Sequence, residues 1–240
     1  MILILGASTG VGLKLALLSA QNGNDIILSS SSKEDLLPIK NHIESVYSVK
    51  VFIQEIDLSN IQKSIKNYKE KIKNFFPEIS SVYFLSGKCI DDSRDIKQEE
   101  FKSIVDVNFT SLAYLLSEII ENIPFTSLII FSSTVACIRA RNCNTAYASA
   151  KKSMEFFITG LRHRYPKRSK YLKIVRFGYI DSPMTYGKTM LLPKASSLKT
   201  AHYLLNINKR TNFISYFPRW WRMFNFIKFI PFSIFKFFHF

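Results

Sequence analysis

Seven short apolar runs punctuate the chain, at 2–5, 26–29, 50–53, 82–85, 128–131, 172–177 and 213–217. Between them lie longer stretches, 10–22, 33–47, 60–75, 97–121, 145–165 and 197–208, most of them with one helical face set out, as by Leu13, Leu17 and Ala20 or by Phe101, Ile104, Val105 and Asn108. Runs without polar alternation suit strands covered on both faces, and the longer stretches suit amphipathic helices. Strands and helices in alternation build a parallel sheet with helices on either side. The pattern therefore predicts an α/β fold, a doubly wound parallel sheet of about seven strands, as a single domain over 1–217. The segment 218–240 follows as a helical tail. No linker, repeat or low-complexity tract interrupts the order. The serine run Ser29 to Ser32 reads as a strand end passing into a helix cap.

Composition narrows the class. A chain of 240 residues with 47% hydrophobic and 21% charged residues has the material for one large core and is not disordered. Cys89, Cys137 and Cys143 make neither a disulfide framework nor a paired metal-ligand pattern. They predict a reducing, cytoplasmic setting, no metal, and thiols used as small core residues. Met1 runs straight into the apolar Ile2–Leu5 without a basic segment, which reads as a strand and not as a secretory signal.

The net charge of +15 is unevenly spread. Residues 1–132 carry 13 Lys and Arg against 16 Asp and Glu, whereas 133–240 carry 20 against 2, Glu155 and Asp181. A basic half reads either as a solvated surface that keeps the protein soluble or as a match for an anionic counterpart: cofactor phosphates, an anionic substrate or an anionic membrane. Nucleic acid is not expected, since no recognition module accompanies the charge.

Two motifs carry chemistry. Gly6-Ala7-Ser8-Thr9-Gly10-Val11-Gly12 follows the first strand and opens a helix. Glycines there permit a tight turn and close approach to a pyrophosphate, and the helix N-terminus supplies positive potential. Tyr147 and Lys151 stand one helical turn apart on one face. A phenol is a poor acid or base at neutral pH, and an ammonium beside it is expected to pull its pKa down, making the two one catalytic unit.

With Asp57-Leu58 after the third strand, Val107-Asn108 in the fourth helix, Ser133 at the end of the fifth strand, and Arg176-Phe177-Gly178-Tyr179-Ile180-Asp181-Ser182-Pro183-Met184, these motifs stand in the order of the short-chain dehydrogenases/reductases, which the chain resembles over roughly residues 1–217. The resemblance implies a Rossmann-type domain and hydride transfer between a nicotinamide cofactor and a carbonyl or alcohol. It implies that Tyr147 exchanges the proton at the substrate oxygen. Lys151 would lower the phenol's pKa and hold the nicotinamide ribose. Ser133 would orient the carbonyl, and Asn108 would steady a proton relay behind the lysine. Gly6, Ser8, Thr9, Gly10, Val11 and Gly12 would line the pyrophosphate. Asp57 and Leu58 would line the adenine, and Ser86, Gly87, Ile180 and Ser182 would complete the cofactor site.

The chain departs from the family in three places. Its Asn-Asn-Ala-Gly stretch is here Phe84-Leu85-Ser86-Gly87. The proline of its Pro-Gly pair is Phe177. The spacing from Ser133 to Tyr147 is fourteen, against thirteen in many members, so Ser132 and Thr134 compete for the serine's role. The second strand ends in Ser29-Ser30-Ser31-Ser32-Lys33 without an acid to accept the ribose 2′-hydroxyl, so Ser31 and Lys33 favour NADP over NAD.

The tail is a different material. From Phe213 to Phe240 there are 13 aromatic residues, Arg219, Arg222, Lys228 and Lys236, and no acid. On an α-helix from Arg219, Trp220, Met223, Phe224, Ile227 and Ile230 would form one apolar stripe, with basic residues opposite. The charges and Pro231 argue against a bilayer span and predict a helix lying in an anionic membrane interface, at the inner face. Packing on the domain or on a second subunit is the alternative. The tail's composition is similar to that of reductases acting on polyprenyl-phosphate-linked sugars. Three functions follow: a membrane-associated reductase of a lipid-linked sugar or other amphiphile, a soluble reductase of a ketone or acyl thioester, and a non-catalytic nucleotide-binding scaffold. A homo-oligomer is expected, and residues 185–197 are expected to shape the substrate pocket.

Overall fold

The computed structural model describes residues 1–93, 95–187 and 192–237. Part of the expected substrate segment, 188–191, and the end of the tail, 238–240, lie outside the described residues. The expected strands form as β1 (Ile2–Leu5), β2 (Ile26–Ser30), β3 (Val51–Glu55), β4 (Ser81–Phe84), β5 (Leu128–Thr134), β6 (Leu172–Phe177) and, further on, β9 (Ile214–Phe217). They make one sheet in the order β3-β2-β1-β4-β5-β6-β9, all pairs parallel. The order reverses between β1 and β4, and a crevice opens there at the carboxyl ends of the strands, where such sheets take their ligands.

Both faces of the sheet are covered, which is why the strands read as unbroken apolar runs. Ile2, Ile4, Ile26, Leu28 and Val175 pack under α1 (Gly10–Gln21), α2 (Lys33–Val46) and α7 (Ser197–Leu205), through Leu15, Leu36, Ile43, Ala201 and Leu204. Leu3, Leu5, Phe84, Phe131 and Ile174 point the other way, toward α3 (Ile61–Ile72), α5 (Ser111–Ile119) and α6 (Thr145–Arg164). Phe84 and Phe131 stack across β4 and β5 with centroids 4.4 Å apart. The aromatic ring thus fills the place where the family's asparagine stands.

The stretch 97–121 forms two helices, not one. Between α4 (Gln98–Val105) and α5 the chain makes a π-helical turn over Asp106–Thr110. Its cause is local: the Asn108 side chain donates from Nδ2 to the Ile104 carbonyl at 2.8 Å, taking an acceptor that the helix ladder would use. A two-stranded ribbon of β7 (Ile180–Asp181) and β8 (Ala195–Ser196) stands outside the main sheet. Of the three thiols only Cys137 is buried; Cys89 and Cys143 are half-buried, so the expectation of core cysteines holds for one.

The tail corrects the expected stripe. It winds as a 3₁₀ helix over Arg219–Phe229, followed by the short α8 (Phe232–Phe235). Three residues per turn stack side chains at i and i+3, so the rows differ from those of an α-helix. Trp221, Phe224 and Ile227 turn toward the domain, with Trp221 buried. Met223, Phe226 and Phe229 face solvent, 74%, 58% and 77% exposed. Met223 therefore lies opposite the place an α-helical period gives it. Arg139 anchors the tail, donating to the Ile227 carbonyl at 2.9 Å and to the Ile230 carbonyl, with its guanidinium over the Phe235 ring. No helix among the described residues is long and apolar enough to cross a membrane.

Candidate active site

The crevice at the β1/β4 reversal is a cleft of about 660 Å³. Its floor is the glycine loop. Gly6 and Gly10 take positive φ, +84° and +54°, which other residues adopt at a cost. At Gly12 a Cβ would meet the Gly6 carbonyl oxygen at 2.0 Å, so only glycine lets α1 start this close to β1. Ser8, Thr9 and Val11 line the same floor, beside the N-terminus of α1, whose first turn carries no acid. A cradle with bare backbone, a helix N-terminus and no competing carboxylate fits a dinucleotide pyrophosphate.

Along one wall lie Ser31, Asp57, Leu58, Ser86 and Gly87; Ile180 and Ser182 close the other. The Asp57 carboxylate accepts from Ser59 N at 2.8 Å and Ser59 Oγ at 2.6 Å. Ser111 Oγ donates to the Leu58 carbonyl at 2.6 Å, tying that wall to α5. Ser30 also lines the cleft, which sequence reasoning missed. Lys33 does not: it is exposed at the start of α2, outside the cleft lining. No acid stands at the end of β2.

Tyr147 and Lys151 both line the cleft from α6. Lys151 is buried, and its Nζ donates to the carbonyls of Ser86 and Ser132, each at 3.1 Å, and to Ser132 Oγ at 3.4 Å. Burial lowers its pKa to about 8. Tyr147 departs from the expectation of a lowered pKa. Shielding from water, then the neighbouring Cys89 and Cys137, push the phenol well above its ordinary range, while the Lys151 donors are spent on strand ends.

Asn108 is buried beneath the cleft and does not line it. Its Nδ2 donates to the Lys88 carbonyl at 2.7 Å, and its Oδ1 accepts from Lys88 N at 3.3 Å. The π-helical turn thereby fixes the strand end beside Gly87, where a Cβ would come 3.6 Å from Lys151 Nζ.

Three hydroxyls end β5, and they differ in what holds them. Ser133, buried, donates from Oγ to Glu155 Oε1 at 2.7 Å. Ser132 Oγ accepts from Lys151 and keeps its own proton for the cleft. Thr134 Oγ1 accepts from Ala136 N at 3.2 Å, capping the next turn. Glu155 lies one turn beyond Lys151 and forms a two-pronged ion pair with Arg176, both contacts 2.7 Å. Burial pushes the Glu155 pKa up, but hydrogen bonding and charge from Arg176, then the Ser133 hydroxyl and Lys152, outweigh it and hold it below the usual carboxylate range. Arg176 Nη1 reaches Tyr216 OH at 2.7 Å, and Tyr216 OH donates to Asn225 Oδ1 of the tail at 2.9 Å. The sequence held one signal for this chain of contacts: Glu155 is one of two acids in a strongly basic half, on the helix that carries the Tyr/Lys pair.

The family model for short chain dehydrogenases matches residues 1–190. Benzil reductase ((S)-benzoin forming) of Saccharomyces cerevisiae is 24% identical over 219 residues, covering 84% of this chain and 82% of the relative. The 3-oxoacyl-[acyl-carrier-protein] reductase of Rickettsia prowazekii is 25% identical over 189 residues, 76% of this chain and 73% of that one. Among solved structures, an alcohol dehydrogenase from Thermococcus sibiricus complexed with 5-hydroxy-NADP superposes with a TM-score of 0.78 at 19% identity, covering 90% of this chain and 94% of its own. A short-chain dehydrogenase from Sphingobium yanoikuyae in complex with NADPH gives 0.76 at 17% identity, covering 99% and 96%. A parallel sheet reversing at β1/β4, a bare glycine cradle at that point and a family match over most of its length make this chain an oxidoreductase of the short-chain dehydrogenase/reductase family.

Proposed function

We propose that the protein interconverts a carbonyl and an alcohol with NADP(H), using Tyr147 as the proton donor or acceptor at the substrate oxygen and Lys151 as the charge that stabilises the phenolate. The observation that carries this reading is the presence of Tyr147 and Lys151, one helical turn apart, on the wall of the cleft floored by the glycine loop. The bound nicotinamide would supply or take the hydride. Everything else falls to the chain. Burial keeps the phenol protonated until the oxygen beside it develops charge, and the Lys151 ammonium, one helical turn away, would oppose the cost of the phenolate left behind. Asn108, through Lys88, would hold the strand end behind that ammonium. Ser133, its proton held by Glu155, would orient the site through its lone pairs, and Ser132 is the hydroxyl whose proton can reach a carbonyl. NADP over NAD is supported by the acid-free end of β2 with Ser30 and Ser31 on the cleft wall, and by the NADP or NADPH named in the structural neighbours.

Tyr147→Phe tests the mechanism. On a panel of aryl diketones, simple ketones and 3-oxoacyl thioesters, turnover should fall by a factor of roughly 10² to 10⁴ while NADPH binding persists. Undiminished turnover by that variant sinks the reading.

The substrate we favour is an amphiphile, a lipid-linked sugar among them, met at an anionic membrane on the cytoplasmic side. Its support is the outward row Met223, Phe226 and Phe229, followed by Phe232 and Phe237, with Arg222 before them, Lys228 and Lys236 among them and no acid in the tail. Replacing Met223, Phe226 and Phe229 with serine spares the inward row. Flotation with phosphatidylglycerol vesicles should be strong for the native chain and weak for this triple variant; equal flotation rejects the membrane role. A second reading, a soluble ketone or acyl-thioester reductase, is favoured by the inward row: Trp221, Phe224 and Ile227 wall an apolar cavity of about 120 Å³ beside Val135, Ala136 and Tyr179. In either case a homo-oligomer fits the aromatic residues exposed on α4, α5 and α6.

A further inference from the structure

Lys88 follows directly on Gly87, and it brings a second ammonium into the cleft. It is half-buried, and its Nζ donates to Ser103 Oγ of α4 at 2.8 Å. No carboxylate among the described residues pairs with it. Among the described residues the one acid lining the cleft, Asp57, is turned onto Ser59. The position of Lys88 is not left to chance, since Asn108 holds both its N–H and its carbonyl. Nor is it remote from the chemistry: Cys89, the next residue, is close enough to Tyr147 to act on its phenol, and Gly87 lies against Lys151 Nζ and Met184.

An anion entering the cleft would meet this ammonium on its wall, with no carboxylate among the described residues to compete for it. Ser103 accepts from Lys88, so its own hydroxyl proton remains free to donate. The two side chains together offer an ammonium and a hydroxyl to one anion. We infer that Lys88 and Ser103 form an anion-recognising pair that receives a carboxylate or phosphate carried by the carbonyl substrate. This rests on the reading of the cleft as a site for a nicotinamide and a carbonyl, and it names the substrate class: a ketone with a negative group within reach of its carbonyl. The same negative charge belongs to the phosphates of the cofactor, so the test must separate the two sources.

Titration of inorganic phosphate into the protein saturated with NADP does so. The cofactor then fills its own phosphate sites, and phosphate should bind the remaining anion site. Lys88→Met should weaken that binding by about tenfold or more, the range expected for losing a charge-assisted hydrogen bond. Lys88→Arg should retain most of it, and its retention shows that the loss in Lys88→Met is one of charge and not of fold. Tyr147→Phe should bind phosphate like the native chain, so a failure of the catalytic reading leaves this result standing. Phosphate binding that is absent from the NADP-saturated protein, or equal in Lys88→Met, overturns the assignment. Loss of NADP affinity in Lys88→Met by the same factor also overturns it, since the anion would then be the cofactor's.

Discussion

Lys151 carries its charge where water cannot help it. Its pKa falls from 10.5 to about 8 because burial penalises the ammonium, and two backbone carbonyls and a serine hydroxyl only partly replace the lost hydration. The unfolded chain binds this proton more tightly than the folded one. Between about pH 8 and 10.5 the unfolded state holds more protons, so the contribution of Lys151 to stability rises with pH across that window. Lys151→Met, which has no proton to lose, provides the reference. The native chain should gain on this variant by about 3 kcal/mol, an upper figure, as pH is raised through the window. Thermal melts of both proteins in matched buffers at pH 7.5 and 10 measure it; a gap that stays constant contradicts the burial of a charged lysine. The spacing of Tyr147 and Lys151 was legible because four residues make one helical turn. The acceptors of Lys151 were not, because they are backbone carbonyls just past β4 and on β5, brought in from 65 and 19 residues away.

Glu155 and Arg176 tie elements together in the same way. The carboxylate is on α6, the guanidinium on β6, the Ser133 hydroxyl on β5 and Tyr216 on β9, and all four meet inside the protein. Removing one partner strands the other as an uncompensated buried charge. Arg176→Met should therefore cost about 3–5 kcal/mol, and adding Glu155→Leu should restore most of the loss. Urea unfolding of the two single variants and the double variant checks this; a double variant no more stable than Arg176→Met would mean that the pair's geometry, and not its charge balance, holds these elements together. Strands and helices were legible at this scale because the sheet is buried on both faces and its helices on one, so the apolar pattern marks their lengths. What escaped has identifiable causes. The π-helical turn arises from one asparagine side chain capturing a carbonyl, a two-residue ribbon leaves no periodicity, and the tail's row of outward residues follows a period of three where 3.6 was expected.

Across the molecule the charge asymmetry becomes a direction. The sheet runs from β3 to β9, and β3, β2, β1 and β4 come from the acidic part of the chain while β6 and β9 come from the basic part. The basic edge is also the edge that carries the tail, so long-range attraction would present the outward row of Met223, Phe226 and Phe229 to an anionic surface. The face formed by α4, α5 and α6 is apolar in a different sense. Phe101, Tyr114 and Phe156 are 51%, 48% and 81% exposed there, one on each helix. Large aromatic side chains exposed on three elements of one face are the kind of surface a partner covers, and a second copy of the chain is the partner that a two-fold contact of this face would bring. The native protein should therefore scatter light as a dimer or larger assembly. Phe156→Glu places a charge at the most exposed of the three positions. It should lower the mass toward that of one chain, 27.7 kDa, without shifting the thermal melt of the monomer fold by more than about 0.5 kcal/mol equivalent. A native protein that is monomeric at tens of micromolar, or a variant that keeps the native mass, would leave this face bare and move the search for a contact to the tail.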